Sequence, residues 1–260
     1  MTWKILGLLI LGCLVLCPPF LPAEKEWNEY KAQHFIIYYK DAPMDFVKNV
    51  ESTAESYYEE ITQNLGFTRY KSWSWDERAK IYIFRDAQDY LNTAHEMRWS
   101  HGAASVREKT IRTFPAAHGF FDSTLPHELG HIIFREFVGY SARVPTWLEE
   151  GIAMYQEKAK RWGATETVRQ AMRDGSFMDL MQLTNLRLYS NTPQETIELF
   201  YAESASVVYF MITELGDYRF VNLCKRLKDG ESFENALLGA YVRFDSIEDL
   251  NKVWLQYLQQ

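Results

Sequence analysis

The sequence has only three cysteines, and two of them, Cys13 and Cys17, lie in its opening segment. If that segment is removed, Cys224 is left alone and no intramolecular disulfide can form. A domain of about 235 residues does not need such staples, so their absence is compatible with export. There is no Lys/Arg-rich run, and 35 acidic against 28 basic side chains give a formal net charge of −7. That balance excludes a nucleic-acid groove and an anionic membrane surface as the natural partner. The first apolar run, Ile5–Leu16, is short against the roughly 20 residues that a membrane-spanning helix needs. Neither an internal repeat nor a low-complexity tract is present.

What remains is an ordinary folding composition, 47% hydrophobic and 24% charged, with room for one large domain or two modest lobes. Aromatics at 15% favour a well-packed interior or an aromatic-lined cleft. At the start, Lys4 precedes the apolar run, and Pro18, Pro19, Pro22 and Ala23 follow it. This order predicts a secretory signal peptide over residues 1–23, or an uncleaved N-terminal anchor because Leu21 is bulky for the −3 position. Cys17 follows Leu-Val-Leu, a poor match to a lipoprotein box. The protein is therefore expected to be exported, periplasmic or secreted, meeting a membrane only if that segment is retained.

Residues 24–260 are expected to form an α+β domain with an α/β lobe over 24–140 and an all-helical lobe over 141–260. In the first lobe, His34–Tyr39 and Lys80–Phe84 are β-branched and aromatic runs that predict strands. Met44–Leu65 has apolar residues at helical spacing and stops at Gly66, and Asp86–Asn92 predicts a short helix. Gly102–Phe114 predicts a hairpin or one long edge strand in a small mixed sheet. Asp122 or Ser123 is expected to cap a helix running to about Phe137. Pro145 opens a helix over Thr146 to about Lys160. Further helices are expected over Thr196–Leu215, stopped by Gly216, and over Tyr218–Lys228, stopped by Gly230. Ser246 and Asp249 resemble a capping box before a last helix ending near Leu258.

Two of the six histidines form His127-Glu128-Leu129-Gly130-His131, an HExxH motif. On a helix, positions i and i+4 share a face, so both imidazoles can point at one ion. Glu128 sits about 100° round the axis, able to reach a metal-held water without ligating the metal. Five residues alone arise by accident, so a third ligand decides the matter, since a catalytic zinc takes three protein ligands and keeps one position for water. The metzincin spacing is excluded, because Phe134 and Phe137 stand where it needs Gly and His. The segment Pro145–Ala153 offers two carboxylates instead, Glu149 and Glu150.

Here the sequence resembles the gluzincin metallopeptidases, a group that includes thermolysin-like enzymes, the aminopeptidase N family and compact bacterial peptidase MA-like domains. The aminopeptidase branch carries HExxH, then eighteen residues, then Glu within a W-L-x-E-G-x-A string. Residues 132–149 are eighteen, and Trp147-Leu148-Glu149-Glu150-Gly151-Ile152-Ala153 matches that string with Glu150 in the ligand position. The likeness covers about residues 100–258. It implies one Zn²⁺ held by His127, His131 and Glu150, with Glu128 as general base and then acid in hydrolysis of a peptide or protein substrate. Glu149 becomes a neighbour of the site. Gly151, and Ala153 with it, is expected to let the two metal-bearing helices approach closely. In these relatives a Tyr at the start of a later helix donates to the oxyanion. Phe200-Tyr201-Ala202-Glu203-Ser204 resembles its surroundings, with Ser204 replacing Gly, so Tyr201 is the candidate. A plain core aromatic is the competing role, and Tyr209 and Tyr155 are weaker alternatives.

The resemblance also implies an edge strand before the HExxH that pairs with substrate, here Gly102, Ala103 and Ala104. The acidic residue that grips a free amino terminus in aminopeptidases is missing, since Ser105 and Val106 stand in that stretch. That departure argues against aminopeptidase specificity and points to an endopeptidase or to some other form of end recognition. A non-catalytic metal-stabilised module of the cell envelope and a hydrolase of a cell-wall amide are the alternatives. The other histidines have plainer expectations. His95-Glu96 has Trp99 where a second ligand would stand, His101 and His118 suit the surface, and His34 suits a structural role. Cys224 is expected to be a small buried side chain.

Overall fold

A computed structural model describes residues 27–67, 73, 77–94, 103–189 and 191–260. The N-terminal segment, Gly102, His95 and His101 lie outside the described residues. Strands β1 (Asn28–Lys31), β2 (Phe35–Tyr39), β3 (Ala79–Ile83), β4 (Ala103–Ser105) and β5 (Thr110–Thr113) form one mixed sheet in the order β1-β2-β3-β5-β4. The central β2-β3-β5 pairs are parallel, and β1 and β4 close the two edges antiparallel. Phe35 and Ile37 on β2 and Ala79, Ile81 and Ile83 on β3 alternate onto one face and are wholly buried. Helix α1 (Met44–Asn64) presents Val47, Val50, Ala54, Tyr58 and Ile61 at helical spacing to the same core. The Gly102–Phe114 stretch resolves into the hairpin form, β4 and β5, and α2 (Ala87–Ala94) precedes it.

The rest is helical: α3 (Leu125–Val138), α4 (Thr146–Gln156), α5 (Lys158–Asp174), α6 (Leu180–Asn185), α7 (Gln194–Thr213), α8 (Asp217–Lys228), α9 (Phe233–Ala240) and α10 (Ile247–Leu258). Ser246 caps α10 by accepting from the Asp249 N–H, as its pattern predicts. Two expectations are corrected. Asp122 and Ser123 do not cap α3; they lie in a π turn, Phe120–Thr124, that begins at Gly119 (φ +72°) and runs into the helix. Nor does α4 reach Lys160, because Glu157 takes an extended backbone (φ −79°, ψ 92°) and separates it from α5. In both places the side chain is engaged in a tertiary contact, Ser123 donating to Glu157, and local preference yields to it. Strand β1 and helices α5, α6 and α9 are elements the sequence pattern did not announce.

Helix α4 is sandwiched between α3 and α7, and glycine permits both approaches. Between α3 and α4 that glycine is Gly130, where a Cβ would stand 3.0 Å from Ala153 Cα and 3.1 Å from Gln156 Cγ. Gly151 does not serve the α3 contact, contrary to expectation. It faces α7, where a Cβ would collide with the Ser204 carbonyl and stand 2.7 Å from Val208 Cγ2. Gly151→Ala is therefore expected to destabilise the chain by about 1–3 kcal/mol or more through forced separation of α4 and α7, read as a lowered urea midpoint.

Helix α7 also buries Glu203 completely. Its Oε1 accepts the Met178 N–H at 2.9 Å, while Oε2 is buried without a hydrogen bond. Burial pushes the carboxyl up to about 8, and the Met178 N–H opposes this only in part. A raised folded-state value means that the folded chain holds the proton more tightly than the unfolded chain. This contribution is then intact at low pH and is lost as pH rises from the ordinary carboxyl value through about 8. Glu203→Gln is expected to flatten the fall in stability between pH 5 and 8.5 and to gain on the order of 2–4 kcal/mol at the upper end, as followed by urea titration at each pH.

Candidate active site

The HExxH residues occupy the first two turns of α3, with Pro126 in its first turn. Leu129, Ile132, Ile133 and Phe134 are buried and anchor α3 in the core, while His127 and Glu128 border a cavity and His131 is buried beside them. Helix α4 opens after Pro145; Trp147, Leu148 and Ile152 are wholly buried, and this anchoring orients Glu150 toward α3. His127, His131 and Glu150 come together. Their ligating atoms are separated by 3.1 Å (His127 Nε2 to His131 Nε2), 3.5 Å (His131 Nε2 to Glu150 Oε2) and 3.7 Å (His127 Nε2 to Glu150 Oε2).

Those spacings test whether an ion fits. Zinc bonds of about 2.0–2.2 Å in a tetrahedron put neighbouring ligand atoms about 3.3–3.6 Å apart, and the three separations scatter around that range. The tautomer suits as well. His127 Nδ1 lies 2.9 Å from Glu157 Oε1, so Nδ1–H donates to the carboxylate and Nε2 keeps its lone pair for a metal. Burial works to raise Glu150, but the hydrogen bond and charges of His131 and His127 prevail and hold it below its ordinary value. His131 Nδ1 is buried and makes no hydrogen bond, with Glu149 Oε1 4.0 Å away.

Glu149 has a different partner. Its carboxylate pairs in bidentate fashion with Arg135, whose Nε reaches Oε1 at 2.7 Å and whose Nη1 donates to the Ala142 carbonyl at 3.0 Å. Glu149 thus braces α4 against α3, beside the His127-His131-Glu150 group.

A cavity of about 680 Å³ opens over this group, with His127, Glu128, Glu157 and Tyr201 in its wall. Burial lifts the Glu128 carboxyl above its ordinary value, against the opposing effect of His127 and His131. Burial, with the charges of Glu150, Glu128 and Glu157, pushes the Tyr201 phenol up to about 12. Tyr201 is therefore a protonated O–H donor throughout the neutral range. Met154, Ala164 and Ala202 give the cavity an apolar side. Tyr155 is buried, with its ring 6.2 Å from that of Tyr209.

Of the other sequence candidates, Ala103 and Ala104 lie in the edge strand β4, opposite Arg112 and Ile111. His34 is buried against Glu55 and stacked on Tyr58, His118 is exposed, and Cys224 is buried. The residue that sequence reasoning missed is Glu157. It stands seven positions after Glu150, a spacing that would put both on one face of a helix continued through it, and that was its signal. Glu157→Gln is expected to weaken metal binding about 10–100-fold, measured by competition with a chromophoric chelator.

Residues 72–260 match the peptidase MA superfamily. The chain belongs to that superfamily. A search of the curated proteins finds no match. As a peptidase MA protein it is a peptidase, with protein or peptide as the substrate class, and its His127-His131-Glu150 group could hold a metal ion. The matched span begins after α1 and includes every residue of the ligand group and the cavity.

Proposed function

We propose that the protein is a zinc-dependent endopeptidase of gluzincin type, exported from the cytoplasm. The observation that carries this reading is the convergence of two imidazoles and one carboxylate from α3 and α4, with a second carboxylate, Glu128, outside that group in the wall of an open cavity. When bound, Zn²⁺ supplies Lewis acidity, polarising a carbonyl and bringing the pKa of a coordinated water to about 7. His127, His131 and Glu150 would hold the ion. Glu128 takes the proton of the attacking water and passes it to the leaving amine, and its raised carboxyl value brings its basicity closer to neutral. Tyr201 donates its O–H to the oxygen on which charge develops, a role that its high pKa supports. The edge strand β4 pairs with an extended substrate backbone.

The endopeptidase assignment rests on the missing acidic residue at Ser105-Val106, and export rests on the pattern of residues 1–23. The test is cleavage of a broad peptide pool by the purified chain, with a chelator and then with zinc restored. Internal cleavage that stops and returns is the expected result. A chain that binds zinc yet cleaves nothing would instead be a metal-stabilised envelope module. N-terminal sequencing of the native protein from the extracytoplasmic fraction tests export, with a new terminus near Glu24 expected if the leader is removed.

A further inference from the structure

The π turn at Phe120–Thr124 is an unfavourable way to start a helix, and it stands directly before the HExxH. Thr124 N–H reaches back five residues to the Gly119 carbonyl at 3.2 Å, and Ser123 N–H shares that acceptor at 2.9 Å. Such turns are frequent at functional sites. Tyr57 secures this one by donating its O–H to the Phe121 carbonyl at 2.9 Å. The turn places Phe120 in the core and Ser123 against Glu157.

Glu157 is only 1% exposed, and each of its oxygens has a donor. Oε1 takes the His127 Nδ1–H, and Oε2 takes the Ser123 hydroxyl. The backbone at Glu157 leaves the helical region between α4 and α5. Its carboxylate is therefore oriented by these contacts and not by a regular helix.

We propose that Ser123 is a positioning residue for the metal ligand His127, acting through Glu157. The serine fixes the plane of the carboxylate, and the carboxylate fixes the tautomer and the ring of His127. Without that donor, the carboxylate loses the contact that fixes its plane, and His127 Nε2 no longer has one fixed direction. The inference rests on the metal-dependent reading above.

The experiment compares Ser123→Thr with Ser123→Val in the full chain. The two residues have the same shape and differ only in the hydroxyl. Zinc affinity is read by competition with a chromophoric chelator, and folding by the thermal melt of each metal-free variant. Ser123→Thr is expected to bind within about threefold of wild type, and Ser123→Val about tenfold more weakly, at the lower end of the loss typical of outer-shell contacts. In a Glu157→Gln background, Ser123→Ala is expected to add less than about twofold, because the path already lacks its middle member. Equal zinc affinity for the Thr and Val variants overturns the proposal. So does a Val variant that binds zinc like wild type but cleaves peptides poorly, since Ser123 would then act on substrate. Wild type that binds no divalent ion overturns the parent reading and this one with it.

Discussion

Glu128→Gln is expected to lower peptide cleavage by about 10²–10⁴-fold while the chain keeps its metal. The substitution changes little else. Glutamine has nearly the volume of glutamate and keeps one carbonyl oxygen, but it cannot accept a proton at neutral pH. Glu128 lies outside the ligand group, so His127, His131 and Glu150 stay in place. Burial already disfavours the Glu128 charge, so replacing the carboxylate with an amide is not expected to destabilise the fold. Two measurements on one preparation decide it: metal content by elemental analysis and kcat/KM on a cleaved peptide. Full metal with activity reduced a hundredfold or more is the expected pair. Full metal with unchanged activity would remove Glu128 from the chemistry.

The ligand set was legible in the sequence because it depends on short-range geometry. The i, i+4 histidine pair follows from helical periodicity, whereas the choice of Glu150 over Glu149 came from the resemblance to the gluzincin string, and the fold only has to bring two adjacent helices together. The central strands were legible as β-branched and aromatic runs, and α1 by the helical spacing of its apolar residues. The illegible parts are those where a tertiary contact overrides local preference. Ser123 has the chemistry of a helix cap but spends its hydroxyl on Glu157. Glu157 looks like one more residue in a continuing helix, and its backbone instead breaks α4 from α5. Gly151 was correctly tied to a close approach, but its neighbour is α7 and not α3, because sequence spacing does not say which helix lies on which side. Helix α5 escaped notice for a different reason, since it is polar over much of its length and its buried stripe, Ala164, Val168 and Ala171, is made of small residues.

Glu149 and Glu150 are adjacent, equally charged and on the same helix, so exchanging either for alanine makes a sharp comparison. Glu150→Ala is expected to lose the metal, with affinity falling by more than the roughly 10–100-fold that follows loss of an outer-shell partner. It leaves two imidazoles where a catalytic zinc takes three protein ligands. Glu149→Ala is expected to retain metal, because its carboxylate faces Arg135 and stands 4.0 Å from the nearer His131 nitrogen. Its cost is one of stability. Arg135 loses a bidentate partner in a half-buried setting and keeps only the Ala142 carbonyl, a loss of about 1–3 kcal/mol. The two variants should thus separate on two axes. Glu150→Ala keeps its metal-free melting temperature and loses zinc, whereas Glu149→Ala keeps zinc and melts earlier. Zinc retained by Glu150→Ala would mean that the third ligand is misassigned. Zinc lost by Glu149→Ala at an unchanged melting temperature would move Glu149 into the metal's own shell, since a bracing ion pair cannot be removed without effect on the fold it braces.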